Sequence, residues 1–189
     1  MDKVIMKDII KIKAIELFSE KGFYGTSIRD ISKAAGCSIP MIYYYYNNKN
    51  ELFEEVVYNE FVLLIDRLNS QIQRGLPIEE IYFLAIKQRK GLNDYDKAVY
   101  KLAMKVWLRF EGSTEIRDKF IIWREGRYER NKRILSKVCS DINKLEILTS
   151  VMIGIFENIT ERIILLDEDI SNEKIIEEVK FIIDCVKKH

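Results

Sequence analysis

Apolar residues recur at helical spacing from about Asp2 to Lys21, where Met6, Ile10, Ala14, Leu17 and Phe18 share one face and lysines occupy the other. Gly22 ends this run, because glycine readily takes the left-handed conformation that follows a helix, and Lys21 suits the negative end of the dipole. Two short elements come next. Thr26 and Ser27 are N-cap types, Ser27 with Asp30 approximates a capping box, and Ile28, Ile31 and Ala35 line one face until Gly36 stops the helix. Ser38 then caps a third helix that carries Pro40 in its first turn, where a missing N–H costs nothing. Two short helices joined through Gly36-Cys37-Ser38 make a helix-turn-helix layout, and Leu17 and Phe18 of the first helix supply the third wall of its small core.

A longer seam of Leu52, Val56, Phe61 and Leu64 predicts a helix from Lys49 to about Gln73, broken by Gly75-Leu76-Pro77. Helices are predicted over residues 78–90, 97–111, 115–136, 144–167 and 171–187, and no strand-period segment bounded by hairpin turns competes. The chain reads as all-α: a three-helix head over 1–48 joined by a continuous helix to a larger helical body over 49–189. There are no internal repeats and no low-complexity tract.

Composition narrows the function. With 189 residues, 48% hydrophobic, 8 Gly and 2 Pro, the chain is too apolar and too poor in breakers for a disordered or collagen-like protein. Overall charge is nearly balanced, at 31 basic against 30 acidic residues, so any field for nucleic acid must be local. Residues 1–50 hold eight Lys/Arg and five Asp/Glu, a net of +3, which leaves about −2 for the remainder. The single histidine, His189, offers no base, triad or metal cluster, so no catalytic residue, metal or cofactor is expected. Cys37, Cys139 and Cys185 are odd in number and far apart, which fits a reducing cytoplasm. Neither a signal-peptide core nor a membrane-spanning run is evident, and a cytoplasmic protein is expected.

The third short helix reads Ser38-Ile39-Pro40-Met41-Ile42-Tyr43-Tyr44-Tyr45-Tyr46. With Ile42 and Tyr46 inward, Ile39, Pro40, Tyr43 and Tyr44 face out and Tyr45 projects from the flank. Four tyrosines could be ordinary core aromatics, but four in a row cannot all bury their rings on one helix. An outward surface of apolar and phenolic groups suits a DNA major groove, with its thymine methyls and base-edge acceptors.

Residues 9–52 resemble the amino-terminal domain of the TetR family of bacterial transcriptional regulators. The resemblance is carried in order by Ala14-Ile15-Glu16-Leu17-Phe18-Ser19-Glu20-Lys21-Gly22-Phe23, Thr26-Ser27-Ile28-Arg29-Asp30-Ile31, Ala34-Ala35-Gly36-Cys37-Ser38, Ile42 to Tyr46, Lys49 and Glu51-Leu52. It implies that Tyr43 and Tyr44 contact DNA, that Tyr45 meets the backbone and Lys49 a phosphate, and that Ser27 and Arg29 approach the backbone or a neighbouring base. Ser38, Ile39, Pro40 and Met41 complete the implied DNA-facing set. Ile39 departs from the basic or polar residue that many relatives carry there, and this favours a thymine-methyl contact over hydrogen bonding.

Over residues 53–189 the resemblance is architectural, implying an effector pocket and a dimer interface. Phe83, Tyr100, Met104, Trp107, Phe110, Trp123, Tyr128, Met152 and Phe156 either line a cavity for an apolar or aromatic small molecule or fill the core. Leu148, Met152, Ile155, Ile159 and Ile163 step by three or four, as do Val179, Ile182 and Val186, and these seams pair within one chain or across a two-fold axis to a second copy. The basic residues between Arg117 and Arg133 are interspersed with acids and read as a solvated face. The expected protein is a homodimeric repressor, released from a palindromic double-stranded DNA operator when a small effector binds. Alternatives are control by a protein partner, or a helical enzyme with a degenerate head.

Overall fold

The computed structural model describes residues 3–73, 75–108 and 114–187. The order is α1 (Lys3–Gly25), α2 (Ile28–Ala35), α3 (Ile39–Tyr45), α4 (Lys49–Glu54), a π-helical turn (Glu55–Asn59), α5 (Glu60–Ser70), α6 (Ile78–Lys90), α7 (Asp94–Trp107), α8 (Thr114–Leu135), α9 (Ile142–Leu165) and α10 (Asn172–Lys187). Among the described residues there is no strand, and no helix is long and apolar enough to cross a membrane.

Contacts divide the chain into two compact units, one made of Met1–Ile65 with Asn93–Phe120, the other of Asp66–Leu92 with Ile121–His189. In the first, α1 packs on α2, α4, the π turn and α7. Its interior is built from Ile10, Ala14, Ile15 and Phe18 of α1, Ile31 of α2, Ile42 of α3, Leu52 and Phe53 of α4, and Leu102 and Val106 of α7, all essentially without solvent contact. Phe18 meets Phe53 edge-on with centroids 4.8 Å apart. Leu17, expected in this wall, is half-buried, whereas Ile15 is covered.

The helix expected over 49–73 is interrupted in its hydrogen bonding at Glu55–Asn59, where the wider turn brings the consecutive residues Val56 and Val57 both to the inner face. Helix α7 begins three residues earlier than the predicted Lys97, because the Asn93 side chain accepts from the Asp96 N–H at 2.9 Å and caps it there.

In the second unit α6, α9 and α10 pack against one another. Ile86, Leu148, Met152, Ile159, Ile175, Val179 and Ile183 close its core. Lys90, at the end of α6, donates to Ile170 O at 2.6 Å and to Asp169 Oδ1 at 2.8 Å, fastening α6 to the loop between α9 and α10.

Candidate nucleic-acid interface

The presentation of α3 begins at the break of α1. Gly22 leaves helical geometry at φ 71°, a left-handed value that glycine adopts without steric cost. The buried Thr26 hydroxyl then bonds the freed carbonyls of Gly22 (2.8 Å) and Leu17 (3.1 Å). Ser27 caps α2 as its sequence promised: Ser27 Oγ accepts from the Asp30 N–H at 3.1 Å, and Asp30 Oδ2 accepts from the Ser27 N–H at 2.9 Å. Hydrogen bonds from the Ser27 side chain and backbone hold the Asp30 carboxyl below its ordinary pKa.

Gly36 ends α2 in the left-handed region (φ 64°, ψ 31°), and the Cys37 N–H returns to Ser32 O at 3.0 Å. Ser38 Oγ accepts from the Met41 N–H at 3.4 Å and starts α3. The face is then set by what is buried. Ile42 and Tyr46 are covered, whereas Met41, Tyr43 and Tyr44 are 39%, 50% and 63% exposed. Pro40 is exposed as well, Ile39 and Tyr45 are half-buried, and the Tyr44 and Tyr45 rings meet edge-to-face with centroids 5.0 Å apart. On α2 the side chains of Ser27, Arg29 and Lys33 reach solvent.

Lys49, at the first position of α4, turns inward. Its Nζ donates to Phe23 O at 2.9 Å and Thr26 O at 3.0 Å, and lies 4.1 Å from the Phe23 ring centroid. It thereby pins the α1–α2 turn against α4. Two further ties escaped sequence reasoning. Lys105 of α7 donates to Ser19 O of α1 at 2.7 Å. Glu60 accepts from Lys11 at 2.7 Å and from the Tyr95 hydroxyl at 2.9 Å, joining α1, α5 and α7. Residues 35 to 86 positions apart form these links, so no local signal announced them.

The candidate effector residues fall in both units. In the first, Tyr100 is buried edge-on to Phe61 (5.4 Å), Trp107 lies 6.3 Å from Phe120, and Met104 is half-buried. In the second, Phe156 carries the guanidinium carbons of Arg89 and Arg127 at 4.5 and 5.6 Å from its ring centroid, and Trp123 has Arg127 at 5.8 Å. Phe83 and Tyr128 are half-buried and Met152 is buried. Phe110 lies outside the described residues.

Of the candidate dimer residues, Leu148, Met152, Ile159, Ile163 and Val179 are covered within their own unit, while Ile155 and Ile182 are half-buried. The Val186 side chain lies outside the described residues. Among the described residues, the large apolar side chains that remain exposed there are Ile142, Ile147 and Val151 of α9 and Phe181 of α10. No cluster of three or more His, Cys, Asp or Glu suited to a metal ion occurs among the described residues.

Residues 13–56 match the family model described as bacterial regulatory proteins, tetR family. Over 101 residues the chain is 37% identical to the biofilm operon icaADBC HTH-type negative transcriptional regulator IcaR of Staphylococcus epidermidis, a match covering 53% of each chain. Over 55 residues it is 46% identical to the probable HTH-type transcriptional regulator YttP of Bacillus subtilis, covering 29% of this chain and 27% of that one. The matched segments thus span about half, or less, of these relatives' length. Among solved structures, a TetR-like transcriptional regulator from Rhodococcus sp. RHA1 superimposes with a TM-score of 0.76 at 19% identity, covering 97% of this chain and 96% of that one, which shows a shared fold.

Proposed function

We propose that this chain, whose amino-terminal head is of the tetR family of bacterial regulatory proteins, is a transcriptional repressor that acts as a homodimer on a palindromic operator in the cytoplasm. The observation that carries the reading is α3, capped at Ser38, anchored through Ile42, and offering Met41, Tyr43 and Tyr44 outward with Arg29 and Lys33 of α2 alongside. In a major groove such a helix reads base edges while the neighbouring cations and backbone N–H groups meet phosphates. The staphylococcal relative's description as a negative regulator supports repression as the sign.

In this reading the head over 1–48 binds DNA through Ser27, Arg29, Ser38, Ile39, Pro40, Met41, Tyr43, Tyr44 and Tyr45, and the body over 49–189 holds the effector and the dimer interface. Lys49, engaged with two carbonyls, serves the interface as a brace. The second copy docks on the exposed face of Ile147, Val151 and Phe181 rather than on the seams already covered. Two heads then address half-sites about 34–36 Å apart.

A small apolar or aromatic effector releases the operator only as far as it prefers the non-binding arrangement, typically by about 1–3 kcal/mol of coupling. Movement of α7 would reach α1 through Lys105 and Ser19 O and through Tyr95, Glu60 and Lys11.

The test is selection of duplexes from a random-sequence pool on the full-length chain, followed by fluorescence anisotropy on the recovered sequence. Enrichment of an inverted repeat bound by two chains is expected. Binding without sequence preference would overturn the reading.

A further inference from the structure

The groove-facing surface of α3 has an unusual chemical composition. No residue from Ile39 to Tyr45 carries a charge or an amide side chain. What reaches solvent is Pro40, Met41, Tyr43 and Tyr44, with Ile39 half-buried beside them. Direct readout of guanine relies on bidentate donation from Arg or Lys, adenine on Asn or Gln, and cytosine on a carboxylate. None of these groups stands on the helix. A tyrosine hydroxyl has a single donor hydrogen, its oxygen otherwise accepting, so it cannot supply the two donors that bidentate guanine recognition needs. The group in the major groove that such a surface does recognise is the C5-methyl of thymine.

The charges beside the helix belong to a different task. Arg29 and Lys33 stand on α2, and no acidic side chain occurs on α3 to repel the duplex. The cations suit phosphates, leaving base discrimination to apolar and phenolic groups. Contiguous exposed apolar side chains on a short helix are unfavourable in water, and packing against methyl groups removes that exposure.

We infer that this helix reads its half-site chiefly by thymine methyls: the base pairs under Met41, Tyr43 and Tyr44 are A·T pairs, recognised by methyl packing and not by guanine contacts. The inference rests on the proposed docking of α3 in the major groove. It goes further by naming the bases and the atoms that distinguish them.

The experiment uses the full-length chain and the duplex recovered from a random-sequence pool. Thymines in the recovered half-site are replaced one at a time by uracil, which removes only the C5-methyl. An affinity loss of about fourfold per contacted methyl is expected, the equivalent of burying one methylene-sized group. Replacing a contacted A·T pair by one with cytosine in the thymine's place should weaken binding, and 5-methylcytosine there should recover part of the loss.

Met41→Ala, at an exposed position that leaves the fold intact by circular dichroism, should abolish the uracil penalty at one base pair. Arg29→Ala should weaken thymine and uracil duplexes equally. Recovered half-sites with guanine under α3 and no uracil effect, while Tyr44→Ala still weakens binding, would overturn methyl readout and leave the docking of α3 standing. If no sequence is enriched, both fall.

Discussion

The ammonium of Lys49 lies 2.9 Å from the carbonyl oxygen of Phe23 and 4.1 Å from the centroid of that residue's ring, and it also bonds the Thr26 carbonyl. A residue that family resemblance assigns to a phosphate is thus occupied with the carbonyls of the turn between α1 and α2. Lys49→Ala is therefore expected to lower stability by about 1–2 kcal/mol, the scale of hydrogen bonds made by a charged donor at a half-buried site. The salt dependence of DNA binding should keep its slope, since a lost phosphate contact would reduce it by about 0.9. Denaturant titration and anisotropy across several salt concentrations decide the matter. A flattened slope with unchanged stability would return Lys49 to the phosphate.

Neighbouring tyrosines should separate reading from folding. Tyr44→Ala, at an exposed ring, should weaken specific binding while changing stability by no more than about 0.5 kcal/mol. Tyr46→Ala, at a covered ring, should cost about 3–5 kcal/mol. The buried Tyr46 hydroxyl has no hydrogen-bond partner among the described residues, so Tyr46→Phe should be neutral or stabilising by about 1 kcal/mol. Loss of stability in Tyr44→Ala comparable to that in Tyr46→Ala would mean that the helix face is assigned wrongly.

Alkaline pH should unfold the protein through its tyrosines. Burial pushes the hydroxyls of Tyr46, Tyr82 and Tyr95 well above their ordinary range; Glu55 and Glu60 add to this at Tyr46, and Glu60 does so at Tyr95. A phenol that ionises near pH 10 in the unfolded chain binds fewer protons there than in the folded one. Stability from these groups is accordingly complete below about pH 10 and falls as pH rises beyond it. Urea midpoints measured across that limb should drop steeply, and Tyr46→Phe should soften the drop. An unchanged limb in that variant would remove Tyr46 from the linkage.

Charge placed on α9 and α10 should have opposite effects at covered and open positions. Ile159→Glu buries a carboxylate inside the second unit and should unfold it. Ile147→Glu and Phe181→Glu, at exposed positions, should leave the circular dichroism unchanged and yield monomers by sedimentation. Dimers that persist in both exposed variants would place the interface elsewhere.

What the sequence determined alone are features of the head that act within about four residues along the chain. Gly22, Ser27 with Asp30, Gly36, Ser38 and Pro40 mark where α1, α2 and α3 stop and start, because caps and left-handed glycines satisfy backbone groups beside them. The inward turn of Ile42 and Tyr46 follows from the same helical period. Tertiary structure decided which apolar stripe of α9 is covered: Leu148, Met152 and Ile159 lie under α6 and α10, and Ile147 and Val151 face out. It also turned Lys49 inward, brought Lys105 to Ser19 and joined Lys11 and Tyr95 on Glu60. Periodicity reports that a helix has apolar and polar faces, but which neighbour covers a face, and which distant carbonyl meets a lysine, depends on the packing of elements far apart in the chain.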